Sequence, residues 1–309
     1  MAMLSQIKNR TLNEKISFSL ALVVKVLVWL FMLIHCLSFL WCLVWCVTSS
    51  FKGLIDFTLN PLTLLPQAWK WENYKEVFDV FTMKAAAPDG TIVTYGIVPM
   101  LLYSLIYAGG TTFVLMALIT VCAYVISKYT FIGKEFIYSL GIILMIVPII
   151  GAGPADMRLN HLLGRYNNML FVILTPSGTV FSGYQFLMIY SAFKGISSSY
   201  MEAAEIDGAG HWTIFVKIIL PMVLPTCATF FILNFMGYWN GYGVFLVYLP
   251  SYPSLSVGIF DFEARSSVEG IPATVVMACY VFVMIPTAAL YLSSQKLITA
   301  KFIVGGLKG

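Results

Sequence analysis

The side chains able to do chemistry in this chain are few and far apart. His35, His161 and His211 stand singly with no HExxH pattern, and Gly133-Lys134 runs into Glu135 instead of Ser or Thr, so neither a zinc site nor a phosphate loop is formed. Cys36, Cys42, Cys46, Cys122, Cys227 and Cys279 all fall in apolar surroundings without a CxxC, which predicts buried thiols acting as small hydrophobes. No paired Asp and no Ser/His set lies within an apolar run, so no catalytic residue, metal or bound cofactor is expected. Two groupings of polar residues remain. One is a segment of small and acidic residues, Glu202-Ala203-Ala204-Glu205-Ile206-Asp207-Gly208, which by these properties alone is either a docking knob for a cleft on another protein or a well-capped surface loop. The other joins aromatic rings to amides: Asn234, Tyr238, Trp239 and Asn240, with Tyr184 and Gln185 upstream. Such groups could grip a hydroxyl-rich solute, or they could pack a core and an interfacial aromatic belt.

The elements carrying these residues follow from where the charges stop. Of 309 residues 60% are hydrophobic and 10% charged, against roughly 45–50% and 25% in a soluble protein. Stretches 26–51, 90–127, 136–155, 166–193, 218–260 and 270–295 hold no Asp, Glu, Lys or Arg. Each has room for the roughly 20 residues that cross a bilayer as helix, so an all-α integral membrane fold with six transmembrane helices is expected. The run 218–260 counts once, because Asn240-Gly241-Tyr242-Gly243 and Pro250-Ser251-Tyr252-Pro253 bracket a piece too short to span. Lysine and arginine orient the chain N-in, C-in: Lys8, Arg10, Lys15, Lys25, Lys128, Lys134, Lys194, Lys217, Lys296, Lys301 and Lys308 fall inside, with the rest outside, largely on the 52–89 loop. The first run reads as an uncleaved helix, since it is too long for a signal-peptide core. The net charge of +4 arises in the inner loops and calls for no nucleic acid.

The docking segment lies on the inner side between the fourth and fifth runs. Ser199 and Glu202 have capping-box spacing, Gly208 suits a left-handed helix end, and a second helix from about Trp212 is expected to stop at Pro221. The prediction is helix, tight turn, helix, forming an acidic knob. Glu-Ala-Ala, three residues, Gly, nine residues, Ile, one residue, Leu-Pro is matched without a gap from Glu202 to Pro221. This closely resembles the EAA coupling motif of permease subunits in binding-protein-dependent ABC importers. Ser49-Ser50-Phe51-Lys52, Leu64-Leu65-Pro66, Trp71-Glu72-Asn73-Tyr74, Trp239-Asn240 and the Gly305-Gly306-Leu307-Lys308-Gly309 end are similar to the maltose-type carbohydrate branch, in particular its smaller six-helix partner. The 151–168 connection, with Asp156, Arg158 and Arg165, fits that pattern loosely.

The resemblance implies a type I ABC importer permease fold, divided into a cytoplasmic segment 1–25, a six-helix domain 26–295 carrying the coupling loop 197–221, and a cytoplasmic tail 296–309. It implies a multi-pass protein of the bacterial inner membrane that works with a second homologous permease, two ATPase subunits and an extracellular solute-binding protein to move a carbohydrate. In that picture ATP and Mg sit on the partners, and this chain is no enzyme. Glu202, Ala203, Ala204, Asp207 and Gly208 would seat in an ATPase cleft, the tail would touch the ATPases, and Asn234, Tyr238, Trp239, Asn240, Tyr184 and Gln185 would line the path. An importer of peptides or amino acids and a secondary transporter are the alternatives; the latter predicts an internal repeat, which the sequence does not show.

Overall fold

The computed structural model describes residues 12–147, 151, 153–176, 180 and 183–299. Residues 1–11 and 300–309 therefore lie outside the described residues, and with them most of the expected tail contact. The helices are α1 (Leu12–Ser49), α2 (Leu54–Leu59), α3 (Glu72–Val80), α4 (Ile97–Lys128), α5 (Lys134–Ile146), α6 (Gly153–Leu162), α7 (Met169–Leu174), α8 (Tyr184–Lys194) and α9 (Ser199–Ile206). Then come α10 (His211–Thr213), a π-helical stretch (Ile214–Ile219), α11 (Leu220–Asn240), α12 (Gly243–Val247), α13 (Leu255–Ser266) and α14 (Ala273–Thr299).

Four helical stretches are long and apolar enough to cross a membrane: Leu20–Ser49, Ile97–Lys128, His211–Asn240 and Ala273–Ser293. They fall in the first, second, fifth and sixth charge-free runs. The third and fourth runs hold shorter pieces among the described residues: α5 has 13 residues and α8 has 11, each short of a full crossing. An all-α fold also needs amending. Strands β1 (Met83–Ala86) and β2 (Ile92–Tyr95) pair antiparallel, Met83 opposite Tyr95. Pro88-Asp89-Gly90 makes the turn, Gly90 taking φ +85° while Asp89 accepts from the Thr91 amide at 3.0 Å and hydroxyl at 2.7 Å. Those two donors hold the Asp89 carboxyl below its usual range.

The chain forms two compact units. One comprises the described residues up to Tyr74 together with Pro272–Val281. Its α1 is exposed throughout residues 20–44, so Cys36 and Cys42 are exposed rather than buried as expected; Cys227 and Cys279 are buried. Lys52, counted above among outer charges, is fully buried within the protein. Its ammonium donates to the carbonyls of Asn60 at 2.9 Å and Thr63 at 2.6 Å and to the Thr63 hydroxyl at 3.1 Å, so the loop that follows α1 is tied around it. The Asn73 amide adds bonds to the Ser50 and Lys52 carbonyls at 2.7 and 2.9 Å.

The other unit comprises Lys75–Ile271 and the chain from Phe282 on. At its centre stands α4, against which α7, α8, α11 and α13 all pack. Ile119, Ala123, Phe186, Ile189, Phe193, Ile214 and Ile219 are buried in its largest apolar cluster. Close approach is built in at Gly110, where a β-carbon would stand 2.9 Å from Cγ2 of Ile173.

Candidate functional site

The docking segment forms the helix and turn expected of it, with a different beginning. Ser198, not Ser199, is the N-cap; its backbone is already helical (φ −61°, ψ −24°) and its side chain makes no capping bond. Ser199 lies inside the helix with its hydroxyl 3.0 Å from that of Ser197, so the capping box does not form and the Glu202 carboxylate stays exposed. The helix end is as expected. Gly208 takes φ +79°, its amide donates to Glu205 O at 3.0 Å, and the Ala209 amide reaches Ala204 O at 2.9 Å. These paired bonds are a Schellman ending, which satisfies the last carbonyls of α9 within the turn.

The residues of α9 divide by face. Met201 and Ala204, three apart, are buried with Ile214 and Phe215, so Ala204 packs into this chain's own core. Glu202, Ala203, Glu205, Asp207 and Gly208 are exposed, and Ile206 is 86% exposed at the tip. The sequence reading passed over Ile206; a large aliphatic beside an exposed glycine turn was the available signal. It also missed Lys128, whose ammonium at the end of α4 donates to the Ile196 carbonyl just ahead of α9.

Beyond the turn, the second helix does not stop at Pro221. It runs from His211 through Pro221 and Pro225 to Asn240. The π-helical stretch Ile214–Ile219 lies immediately before the proline. Its wider ring re-registers the hydrogen-bond ladder where the missing N–H and the ring would otherwise break it. The helical segment that begins directly after the Gly208 turn therefore carries Asn234, Tyr238, Trp239 and Asn240 at its far end.

That grouping is brought together only in part. Gln185 on α8 and Asn234 on α11 form a reciprocal amide pair, Gln185 Nε2 to Asn234 Oδ1 at 3.1 Å and Asn234 Nδ2 to Gln185 Oε1 at 2.9 Å. Asn234 also donates to Phe230 O at 2.8 Å. Tyr184 is exposed, edge-on to Phe230. Tyr238 is half-buried, edge-on to Tyr107, while Trp239 is buried and stacked on Phe235. Asn240 is exposed with one N–H on Met236 O at 2.9 Å. Past α11, Trp239 and Asn240 line a cavity of about 280 Å³ with Tyr242 and, from α13, Ser256, Phe260 and Glu263. In the 151–168 connection the Tyr248 hydroxyl donates to Asp156 at 2.5 Å, and Arg165 donates to Thr175 O at 2.6 Å.

Residues 116–304 match the family described as "Binding-protein-dependent transport system inner membrane component". The chain belongs to this family. The matched region holds the Gly208 turn, the long helix behind it and the cavity, and the family is one of transport components. The chain is 30% identical over 213 residues to the diacetylchitobiose uptake system permease protein NgcG of Streptomyces coelicolor, covering 67% of this chain and 65% of that protein. It is 26% identical to the galactooligosaccharides transport system permease protein GanQ of Bacillus subtilis, covering 86% and 89%. A crystal structure of a bacterial ABC transporter involved in the import of the acidic polysaccharide alginate shares the fold, with a TM-score of 0.70 at 22% identity over 90% of this chain and 97% of that one.

Proposed function

We propose that this chain is a permease subunit of an ATP-driven importer of carbohydrates, most simply short oligosaccharides, forming half of a translocation path in a bacterial cell membrane. Six crossings, N-in and C-in, complete the reading: the run 136–155, which holds α5, and the run 166–193, which holds α7 and α8, supply the two that no single long helix makes, with α6 on the outer side between them. A second permease, two ATPase subunits and an extracellular binding protein are its partners. ATP and Mg are held by the ATPases, and this chain binds no cofactor of its own. The named solutes of the relatives, diacetylchitobiose and galactooligosaccharides, favour a sugar over a peptide.

The observation that carries this reading is the Schellman-ended acidic turn on a helix continuous to Asn240. Glu202, Glu205 and Asp207 give the knob its charge, Ala203 permits close approach, and Ile206 offers an apolar tip to a cleft. Gly208 sets the angle between the knob and the segment behind it, so closure of the ATPases on the knob is passed to the membrane-spanning part. The test is affinity pull-down of the full chain from detergent with mass spectrometry, comparing wild type with Gly208→Asp. Recovery of a second permease and an ATPase, with the ATPase lost in the variant, is the expected result. A lone folded chain that transports solute into liposomes without ATP would overturn the reading.

A further inference from the structure

The cavity at the C-terminal end of α11 has polar capacity that the Gln185–Asn234 pair lacks. Gln185 and Asn234 engage each other, whereas Asn240 uses one N–H on Met236 O and keeps a second N–H and its carbonyl oxygen. Ser256 shares a 2.8 Å bond with Ser254 and reaches Gly241 O at 3.3 Å. The Glu263 carboxylate has no hydrogen bond or ion pair among the described residues, and the nearby Arg265 is held by Asp261 at 2.7 Å and Glu269 at 2.9 Å. Among the described residues that line the cavity, Glu263 is the one charged side chain. Its aromatic wall is Tyr242 stacked on Phe260, ring centroids 4.9 Å apart and 11° from parallel, both rings close to half exposed.

We infer that this cavity is a subsite for a single uncharged sugar ring, resting on the Tyr242–Phe260 wall, hydrogen-bonded by Asn240, Ser256 and Glu263, and closed to uronic acids. The inference rests on the importer reading and adds a solute class to it. The outward face of one ring of the stacked pair matches the C–H face of a pyranose, and a carboxylate accepts from two adjacent hydroxyls in charge-assisted bonds about twice as strong as neutral ones. A uronate would set a second negative charge within a few ångströms of the exposed Glu263 carboxylate, and the two like charges repel. At about 280 Å³ the space falls below the roughly 300–1,000 Å³ of pockets for drug-sized ligands, which suits one ring of a longer chain.

The test uses the full chain with its co-purified partners in proteoliposomes, and as probes diacetylchitobiose, galactotriose, maltotriose and an alginate trisaccharide. For the neutral probes that wild type takes up, Glu263→Gln is expected to raise KM about tenfold with kcat little changed, and Glu263→Lys to raise alginate trisaccharide uptake at least tenfold. Labelling of the thiol introduced by Glu263→Cys with a membrane-impermeant reagent is expected to slow in a neutral probe and not in the acidic one. Retained co-purification of the ATPase shows that each variant is folded. Unchanged KM and unchanged neutral-to-acidic preference in both variants, or no protection of the thiol by any neutral probe, overturns the subsite and leaves the importer reading standing. Solute uptake by wild type without ATP or an ATPase overturns both.

Discussion

Gln185 and Asn234 hold α8 to α11 only as a pair. Truncating Asn234→Ala strands the Gln185 amide in a half-buried setting, a loss of about 1–3 kcal/mol, whereas Gln185→Leu with Asn234→Leu removes both partners and is expected to recover most of it. Thermal unfolding in detergent checks this; a double variant as unstable as the single one would contradict the pairing argument. Tyr248 supplies a pH-dependent term. Its hydrogen bond to Asp156, with burial adding, raises the phenol above its ordinary value. A raised folded-state value means that its contribution is complete below the unfolded phenol's value of about 10 and is lost as pH climbs through the folded one. Wild type should therefore show a larger alkaline loss of stability than Tyr248→Phe, and superimposable alkaline profiles would exclude it. Gly208 could be read from sequence because one residue type and one helix end determine it. The Gln185 and Asn234 partnership could not, since it depends on how two helices rotate against each other across 49 positions.

At the scale of elements, α4 is the post against which its unit packs, and Gly110 is where α7 comes nearest. Gly110→Val drives a branched side chain into Ile173, also branched and slow to give way, at a cost of about 1–3 kcal/mol. Adding Ile173→Ala should return part of that, as a rise in the unfolding midpoint; no rise would mean that the contact is not the cause. The apolar runs gave away α1, α4, the His211–Asn240 segment and α14, because a long stretch without charge in a lipid solvent has few other solutions. Boundaries were less legible. Pro221 reads as a stop until the π-helical stretch before it is seen, and Ser199 reads as a cap until Ser197 takes its hydroxyl. The hairpin at Pro88-Asp89-Gly90 was not anticipated, its strands being only four residues each and the second lying inside the 90–127 run.

For the whole molecule, the number of crossings is decided by where Arg158 lies. With six crossings α6 faces outward, and with four it faces inward. A thiol introduced by Arg158→Cys is expected to react with a membrane-impermeant reagent from outside intact cells, and reaction only in inverted vesicles would fix the count at four. The cavity and the knob show the same mixture of legible and hidden. Trp239 and Asn240 were marked as path residues by type, but Phe260 and Glu263 join them only because α13 folds back beside the end of α11. One dimension of the His211–Asn240 segment bears on both. Its 30 residues span about 45 Å at 1.5 Å per residue, with the π-helical ring near one end. A rigid rod of that length, tilted by about 10° at the coupling turn, carries its far tip through roughly 8 Å. That sweep exceeds the width of a sugar ring, so on the proposed importer reading an ångström-scale adjustment where the knob meets an ATPase would become, at Asn240, the difference between an open doorway and a shut one.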